Sequence, residues 1–303
     1  MVEQGGEPAA DDVHPPQTAV RDAVARALAE DVLPLGDLTA ALVPTGTRCR
    51  LAVVARQHGV VAGQRCAEEA FATVDGALEV TWCRPDGSTV DPGDVIAEVD
   101  GDLRPILTAE RTALNFLAHL SGVATLTRRF VDAVCAVDPA VRVLDTRKTT
   151  PGLRALEKAA VRAGGGHNHR ASLSDAVLVK DNHLAGTTIT DAVARARAMW
   201  PGRMVEVECD RADQVVEASR AGATAVLLDN MSPDEAARCA ALARRSAVEG
   251  EILVEVSGGV DLESAPRYAA AGVDVISVGA LTHSAPVLDL GLDLRAEPAA
   301  GED

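Results

Sequence analysis

The segment MVEVECDRADQVVEASRAGATAVLLD, residues 204–229, decides the fold prediction. Its ends, Met204–Cys209 and Ala225–Asp229, are short β-branched runs, and residues 212–221 between them have the spacing of an amphipathic helix. Gly222 follows this helix, where a left-handed residue is expected. A strand–helix–strand unit of this kind predicts two parallel strands joined by a right-handed crossover.

The same alternation continues through the chain after residue 140. Its apolar strands suit a parallel sheet that is buried on both faces, although a doubly wound open sheet would give the same pattern. Polar residues at the strand ends favour a barrel, and a total of six units favours an incomplete one. Pro151 and Pro233 stand where a first helical residue is expected. The other predicted strands are Val141–Asp145, Ala176–Lys180, Ile252–Val256 and Val273–Val278, and the other helices lie near 151–163, 188–199, 233–245 and 261–271.

The preceding part of the chain has a different organisation. A helix is predicted near 17–30, and residues 47–105 have the pattern of strands and turns with one helix around 64–73. Two further helices are predicted at about 108–120 and 123–136. The change of pattern near residue 140 therefore indicates two structural parts.

Charge and composition exclude some partners. The chain has 303 residues, 47% of them hydrophobic, and a formal net charge of −16. Nucleic acid is not an expected partner, because binding to a phosphate backbone needs a basic face. No apolar run approaches the ~18 residues that span a bilayer, so no membrane partner is expected. Residues 1–12 carry acidic but no basic side chains, unlike a signal peptide, and the six cysteines form no CxxC pair. Both features predict a cytoplasmic protein with free thiols.

Lysine is rare, since only three of the 29 basic residues are lysines. In a chain that uses arginine elsewhere, a retained lysine is a candidate for a site that needs a compact ammonium group. The three are Lys148, Lys158 and Lys180.

Every predicted strand end after residue 140 carries polar residues or glycines. In a βα barrel these ends point into a common mouth, where active sites lie. Taken singly, each residue has the alternative interpretation of a solvated loop charge, but the complete set favours a site. The ends are Asp145-Thr146-Arg147-Lys148, Lys180-Asp181-Asn182-His183, Glu206 with Glu208, Asp229-Asn230, Ser257-Gly258-Gly259 and Gly279-Ala280.

Two acidic residues are predicted to point into the barrel. Glu206 and Glu208 are two positions apart on one strand and therefore share a face. An interior carboxylate is costly unless it is paired with a cation. Lys148 and Lys180 are candidate partners, and Mg²⁺ is another, with Asp229 as a second oxygen ligand. An internal ion-pair network that holds the barrel together is the alternative, and the same network can orient a site.

Two strand ends are candidates for binding phosphate. Ser257-Gly258-Gly259 and Gly279-Ala280 each precede a helix or a turn, so free backbone amides are available there. Their place after the last strands is that of the usual barrel phosphate site. Ser-Gly-Gly alone is also typical of a tight turn.

A basic cluster is predicted near the segment GGGHNHR, residues 164–170. Its glycines allow the backbone to approach a ligand closely, and Arg147, Lys148 and Lys180 add cations suited to carboxylates and phosphates. The alternative is a zinc site, but the histidine spacing matches no zinc motif and the neighbours are cationic. The histidines concerned are His167, His169 and His183.

Arg111 lies near the predicted N-terminus of the helix at 108–120. The helix dipole disfavours a cation at that end. A surface salt bridge and a functional role are equally good interpretations of this residue on that evidence.

Several segments, in order, are similar to the signature segments of quinolinate phosphoribosyltransferases. The resemblance covers residues 17–292, and GDLT at Gly36–Thr39 also fits it. Ala159 and Ala163 depart from the pattern, since they stand where the family has an aromatic residue and a cysteine; these changes concern packing. The matching segments are TAERTALNFLAHLSGVATLT, DTRKTTPGLRALEKAAVRAGGGHNHR, LSDAVLVKDNH, VEVEC, LLDNMSP, VSGGV and ISVGALTHS.

The resemblance implies an α/β protein with an N-terminal α/β sandwich domain and a C-terminal incomplete βα barrel. It also implies a homodimer in which each active site is completed by the other subunit. The expected organisation is a disordered tail at 1–16, the sandwich at 17–122 joined by 285–296, the barrel at 123–284 and a disordered tail at 297–303.

The resemblance further implies site residues. Arg111 would reach into the partner's site, and Glu208 and Asp229 would hold ribose hydroxyls, directly or through Mg²⁺. Lys148, Lys180 and the two acids are the expected catalytic residues. The role of Lys158 stays open between a helix-surface ion pair and a substrate contact. The expected cationic pocket consists of Arg147, Lys148, His169, Arg170 and Lys180, and the expected 5-phosphate site of Ser257, Gly258, Gly259, Gly279 and Ala280.

The implied reaction transfers a phosphoribosyl group from phosphoribosyl pyrophosphate, with Mg²⁺, to quinolinate. Decarboxylation then gives nicotinate mononucleotide, a step of de novo NAD biosynthesis. A related phosphoribosyltransferase for nicotinate or another ring acid is the nearest alternative, although the number of cations favours a dicarboxylate. A non-catalytic protein that binds phosphate sugars is the other alternative.

Overall fold

The computed structural model describes residues 13–248 and 250–294. The chain forms two compact units. The first contains the residues up to Arg128, Thr150–Gly165 and the residues from Ala285 onward, and the second contains Arg129–Thr149 and Gly166–Ser284. None of the described helices is long and apolar enough to cross a membrane. Of the tail predicted at 1–16, residues 1–12 lie outside the described residues, and so does the tail predicted at 297–303.

An antiparallel sheet organises the first unit. It has the order β12-β1-β5-β3, where β1 is Arg48–Ala55, β3 is Glu79–Trp82, β5 is Val95–Asp102 and β12 is Leu290–Leu294. The C-terminal segment thus returns to the first unit through β12, which pairs with β1. The short strands β2 (Gly59–Val60) and β4 (Thr89–Val90) form a separate antiparallel pair.

Helices complete the first unit, in agreement with the predicted α/β character. The helix α1 spans Gln17–Val32 and buries Val20, Val24 and Leu28, whose spacing of four residues places them on one face. The helix α2 spans Gln64–Val74.

Residues 13–16 were expected to belong to a disordered tail, and this expectation is wrong. The side chain of Val13 is buried, and Nη1 of Arg65 donates to the carbonyl oxygen of Pro15 at 3.4 Å. The carbonyl oxygen of His14 accepts from Nη2 of Arg162 at 3.1 Å. Both contacts are with residues that are distant in the sequence. They hold the segment in place, although its composition is polar.

A single helix, α3 (Leu103–Cys135), replaces the two helices predicted at 108–120 and 123–136. The interval between the two predicted helices contains Gly122, and glycine is a poor helix former. In the structure, a Cβ atom on Gly122 would lie 2.1 Å from the carbonyl oxygen of Pro286. The glycine is therefore required by a close backbone approach and does not interrupt the helix.

The helix α4 (Arg154–Ala163) belongs to the first unit, whereas the sequence placed these residues in the barrel. Pro151 was expected to be its first helical residue, but it lies in a turn before the helix begins. Gly152 adopts a φ of +81°, which is incompatible with a right-handed helix and postpones its start.

A six-stranded parallel sheet forms the second unit, as predicted. The pairing order is β6-β11-β10-β9-β8-β7. The first strand thus pairs with the last one, as in a closed barrel, but β6 and β7 are not paired. The sheet is a barrel that is open between its first two strands. The strands are β6 (Arg142–Leu144), β7 (Val177–Val179), β8 (Val205–Cys209), β9 (Ala225–Asp229), β10 (Leu253–Ser257) and β11 (Val275–Ser277).

Five helices connect or follow these strands. Ser232 caps the third of them by accepting from the backbone of Glu235, and Pro233 is its first residue, as predicted. Gly222 and Gly272 end two helices with φ of +83° and +74°, which confirms the predicted left-handed residues. The helices are α5 (Ile189–Met199), α6 (Ala212–Arg220), α7 (Pro233–Ser246), α8 (Ala265–Ala270) and α9 (Ala280–His283).

Candidate active site

The carboxyl ends of the six parallel strands carry most of the predicted site residues. Arg147 and Lys148 follow β6, and Lys180 follows β7 directly. Glu208 is the penultimate residue of β8, and Asp229 is the final residue of β9. Because all six strands are parallel and in one sheet, these residues lie along the same edge. Ser257 ends β10, and Gly279 and Ala280 follow β11 at that edge.

Lys148 is held against the end of β11. The hydroxyl of Thr282 donates to the carbonyl oxygen of Lys148 at 2.8 Å. A Cβ atom on Gly279 would lie 3.1 Å from Cδ of Lys148, so the lysine stem packs on the glycine backbone. The stem of Lys148 therefore lies beside the backbone of the predicted phosphate segment.

Lys180 and Glu208 form a close ion pair through Nζ and Oε2. The two side chains are 41% and 19% exposed, so the pair is open to solvent from the lysine side. The predicted pairing of an inward carboxylate with a retained lysine is found here. The ion-pair network that was considered as the alternative is present in this pair, and it also fixes the direction of both groups.

Hydrogen bonds at the turns that follow β9 and β10 orient Asp229. Nδ2 of Asn230 donates to Oδ2 of Asp229 at 2.8 Å, and the amide of Asn230 donates to the carbonyl oxygen of Ser257 at 3.0 Å. Asn230 has a φ of +54°, and Gly258 and Gly259 have φ of +90° and +63°. A Cβ atom on Gly258 would lie 2.3 Å from Oδ1 of Asn230. Glycine is therefore required where the ends of β9 and β10 meet.

The segment after the glycine triplet lies along β6. His167 forms a parallel bridge with Leu144, and Asp145 receives two hydrogen bonds from the residues that follow. Its Oδ1 accepts from the amide of His169 at 2.9 Å, and its Oδ2 accepts from Nδ2 of Asn168 at 2.6 Å. The fully buried carboxylate of Asp145 thus fixes the backbone that carries His169 and Arg170.

Arg147 and Arg170 place two guanidinium groups near each other. Burial is the main cause that lowers the pKa of Arg170, and the positive charge of Arg147 lowers it further. The carboxylates of Glu206 and Asp175 act in the opposite direction. Nη1 of Arg170 donates to the carbonyl oxygen of Ala176 at 3.0 Å. Two partly buried guanidinium groups whose positive charges repel each other are typical of a site for an anion.

A buried polar cluster lies in the barrel interior. Nε2 of His169 is 3.2 Å from Oε2 of Glu206 and 3.5 Å from Oε1 of Glu255, and both carboxyl groups are almost fully buried. Burial, and then the charge of Glu206, raise the pKa of Glu255 to about 8. Glu255 was missed by the sequence analysis. The alternation Leu253-Val254-Glu255-Val256 repeats the pattern that identified Glu206, and it was the available signal.

The remaining predicted candidates are Arg111, Lys158 and His183. Arg111 is an exposed residue of α3 in the first unit. Lys158 is also in the first unit and is only 3% exposed, so a helix-surface ion pair is wrong for it. His183 accepts the backbone amide of Lys180 through Nδ1 at 2.9 Å. Within the described residues, the group that has metal-ligand spacing combines His169 with Glu206 and Glu255, so the three-histidine zinc alternative is not supported.

Glu208 and Asp229 offer carboxylate oxygens at the ends of neighbouring strands. Hard oxygen ligands suit Mg²⁺, which usually keeps several waters and contacts one or two carboxylates together with substrate phosphates. The pair does not form a closed cage of three protein ligands in the part of the chain that the structure describes. The residues therefore fit a metal ion that arrives with a phosphate substrate.

Comparison with known proteins agrees with the two units and the site. Residues 37–121 match the family described as quinolinate phosphoribosyl transferase, N-terminal domain, and residues 123–293 match the corresponding C-terminal domain. The chain is 44% identical over 282 residues to the nicotinate-nucleotide pyrophosphorylase (carboxylating) of Mycobacterium leprae. The matched residues cover 91% of this chain and 97% of that protein.

Two further relatives extend this finding. A probable nicotinate-nucleotide pyrophosphorylase (carboxylating) of Bacillus subtilis is 42% identical over 271 residues, which cover 88% of this chain and 91% of that protein. The solved structure of the nicotinate-nucleotide pyrophosphorylase from Francisella tularensis has a TM-score of 0.87 and 38% identity, and the match covers 94% of this chain and 99% of that one. By sequence and by structure, the chain belongs to the quinolinate phosphoribosyltransferase family.

Proposed function

We propose that this protein transfers the phosphoribosyl group of phosphoribosyl pyrophosphate to quinolinate and releases carbon dioxide, giving nicotinate mononucleotide and pyrophosphate. The observation that carries the proposal is the adjacent pair of partly buried guanidinium groups, Arg147 and Arg170, in a chain with a net charge of −16. A local excess of cations is needed to bring a pyridine dicarboxylate beside a polyphosphate. The relatives named for this activity support it as the reaction.

Positioning is the first role of the site. The carboxylates of quinolinate are held by Arg147, Lys148 and Arg170, and Lys180 sets the direction of Glu208. Holding two anions together against their repulsion supplies a large share of the catalysis, because a bimolecular step becomes effectively unimolecular. Partial burial strengthens the attraction to each fixed cation. The 5-phosphate is bound by the backbone of Gly258, Gly259, Gly279 and Ala280 with Ser257.

Charge stabilisation is the second role. As the bond from ribose C1 to pyrophosphate breaks, positive charge develops on the ribose, and the carboxylates of Glu208 and Asp229 stabilise it while they hold the hydroxyls. The pyridine nitrogen then forms the new bond to C1. The cationic ring nitrogen stabilises the electron pair left at C2 when carbon dioxide departs, and a proton from water completes nicotinate mononucleotide.

Mg²⁺ would bind the pyrophosphate group of the donor and neutralise part of its charge. Glu208 and Asp229 would hold it, directly or through water, from the ends of two neighbouring strands. Removing Mg²⁺ with a chelator is expected to abolish turnover, and restoring it in excess is expected to recover the activity. Full turnover in the chelator would refute the requirement.

The active form is proposed to be a homodimer in which Arg111 of each subunit serves the site of the other. Arg111 is exposed on α3, and four leucines in residues 33–42 of the same unit are between 66% and 83% exposed. An apolar patch of this kind is typical of an interface. Light scattering at several protein concentrations tests the dimer, and a monomer with full specific activity would refute it.

The proposed compartment is the cytoplasm, supported by the six free cysteines.

One assay separates the proposed reaction from its alternatives. Quinolinate labelled in the 2-carboxyl group is incubated with phosphoribosyl pyrophosphate and Mg²⁺, and released carbon dioxide and nicotinate mononucleotide are measured. Equal amounts of both products are expected, with no product from nicotinate. Turnover of nicotinate alone would favour the related transferase, and binding without any product would favour a non-catalytic protein.

A further inference from the structure

The barrel interior below the strand ends contains a polar cluster without an assigned function: His169, Glu206 and Glu255. Glu206 is 0% and Glu255 1% exposed, and the histidine side chain is 9% exposed. One atom from each of the three lies within 4.8 Å of the others. Such a buried group of ionisable residues needs an explanation, because unpaired charge is costly in a protein interior.

The contacts of the imidazole ring determine its tautomer. The backbone amide of Arg170 donates to Nδ1 of His169 at 2.8 Å, so Nδ1 carries a lone pair and no hydrogen. The hydrogen of the neutral ring is therefore on Nε2. That atom faces Oε2 of Glu206 at 3.2 Å, and it donates to this carboxylate.

The same tautomer argues against a metal ion in the cluster. A histidine that binds a metal through Nε2 needs its lone pair there, and the other nitrogen then carries a hydrogen that it donates. Nδ1 of His169 instead accepts from a backbone amide that cannot reverse its direction. Spacing alone would allow a cation between the three side chains, but the hydrogen-bond directions do not.

The two carboxyl groups lack a donor between them. Oε1 of Glu206 and Oε1 of Glu255 are buried without a hydrogen-bond partner in the described part of the chain, and the nearby hydroxyl of Ser277 lowers the pKa of Glu255 by less than burial and Glu206 raise it. Neutral His169 supplies one hydrogen but no positive charge, so two ionised carboxylates would repel each other in a dry interior. One proton on Glu255 removes this repulsion and provides the missing donor. The raised pKa of Glu255 agrees with that assignment.

We propose that Glu255 is a positioning residue: as a protonated acid beside Glu206, it holds His169 as the neutral Nε2–H tautomer and thereby fixes the backbone of Arg170. His169 then contributes a directed hydrogen bond to the interior and is not one of the cations that attract the substrate. The effect on kinetics rests on the proposed function, since Arg170 is there assigned to a quinolinate carboxylate. The tautomer itself does not depend on that function.

The direct test is nuclear magnetic resonance of the intact enzyme labelled with ¹⁵N-histidine, with the variant His169→Gln to assign the signals. One signal pair is expected to have a protonated Nε2 and an unprotonated Nδ1. An imidazolium, or a neutral ring with its hydrogen on Nδ1, would overturn the proposal. A stoichiometric change of these signals on addition of Zn²⁺ would also overturn it.

Kinetics give the second test. Glu255→Gln keeps a neutral side chain with a donor, so its KM for quinolinate is expected within about 3-fold of the wild type. Glu255→Leu removes the donor, and its KM for quinolinate is expected to rise about 10-fold or more, with a smaller change in kcat. The matched control, Glu263→Gln, replaces an exposed glutamate and should leave both constants unchanged. Equal effects of the two Glu255 variants would contradict the role of the donor.

The two tests separate this inference from the proposed function. If Glu255→Leu does not fold, the tautomer in the wild type and in Glu255→Gln still decides the matter. If the wild type does not convert quinolinate, the proposed function fails while the resonance experiment remains decisive for His169.

Discussion

Replacement of Gly258 by alanine is expected to weaken both the fold and the use of phosphoribosyl pyrophosphate. Gly258 has a φ of +90°, and an alanine Cβ would lie 2.3 Å from Oδ1 and 2.9 Å from the amide nitrogen of Asn230. A left-handed alanine costs roughly 1–2 kcal/mol, and overpacking against fixed neighbours adds roughly 1–3 kcal/mol. Because Asn230 donates to Asp229 at 2.8 Å, its displacement also moves a carboxylate assigned to the ribose.

Gly272→Ala is the matched control for the backbone contribution. Gly272 has a φ of +74°, and the nearest atom to its added Cβ is Nη1 of Arg244 at 3.9 Å. This variant is expected to lose roughly 1–2 kcal/mol of unfolding free energy and to keep its kinetic constants. Gly258→Ala should lose about 1–3 kcal/mol more than the control and about 10-fold in kcat/KM for phosphoribosyl pyrophosphate.

Urea unfolding and steady-state kinetics measure the two effects. Equal losses of unfolding free energy in the two variants would refute the predicted clash with Asn230. A larger loss in Gly258→Ala without a change in kcat/KM would refute the coupling of this turn to Asp229.

Three further predictions concern the charges. Arg147→Ala and Lys148→Ala are each expected to lower kcat/KM for quinolinate by ~2 kcal/mol or more of transition-state stabilisation, and unchanged kinetics in both would remove them from the site. Mixed dimers of Arg111→Ala and Lys148→Ala subunits should recover part of the activity, because one of the two sites keeps both residues; verified mixed dimers without activity would contradict a shared site. Stability should fall as the pH rises from 4.5, the ordinary pKa of glutamate, towards about 8, because the folded protein retains the proton of Glu255 that the unfolded chain has released. Urea midpoints at pH 5.5 and 8.5 should therefore separate more for the wild type than for Glu255→Gln, and equal separations would refute the raised pKa.

The second unit could be predicted from the sequence because its signals are local. Ala225–Asp229 was predicted as a strand with its bounds as observed, since the run is short and apolar and follows the helix end at Gly222. Pro233 and Gly222 marked helix ends by backbone chemistry that no neighbour has to supply. The direction of the strands follows from the crossovers, and it places the polar residues at one edge.

The errors came from contacts distant in sequence. Gly122 resembles a helix break, but it lies inside α3 because the carbonyl oxygen of Pro286 occupies the space of its Cβ. Residues 13–16 resemble a tail, but the side chains of Arg65 and Arg162 bind their carbonyl groups. Neither contact has a local signature, so composition and periodicity could not indicate them.

The roles of charged residues were the least predictable feature of the site. The sequence showed that Glu206 faces inward and that His169 lies among cations, but it gave no tautomer and did not draw attention to Glu255. Hydrogen-bond direction, which decides the state of His169, depends on the amide of Arg170 and thus on the local backbone. Pairing of acids in the interior depends on register between β8, β9 and β10.

The charge state of the interior determines how strongly the strand ends attract anions. Arg147 and Arg170 bring two positive charges, and Glu206 lies close enough to Arg170 to affect its pKa. With both Glu206 and Glu255 ionised, the interior would carry one more negative charge than with a proton on Glu255. Because the rest of the chain is strongly negative, this proton favours the approach of a pyridine dicarboxylate to the two guanidinium groups. With the proposed proton on Glu255, the buried acid pair therefore opposes the binding of anions less than two carboxylates would.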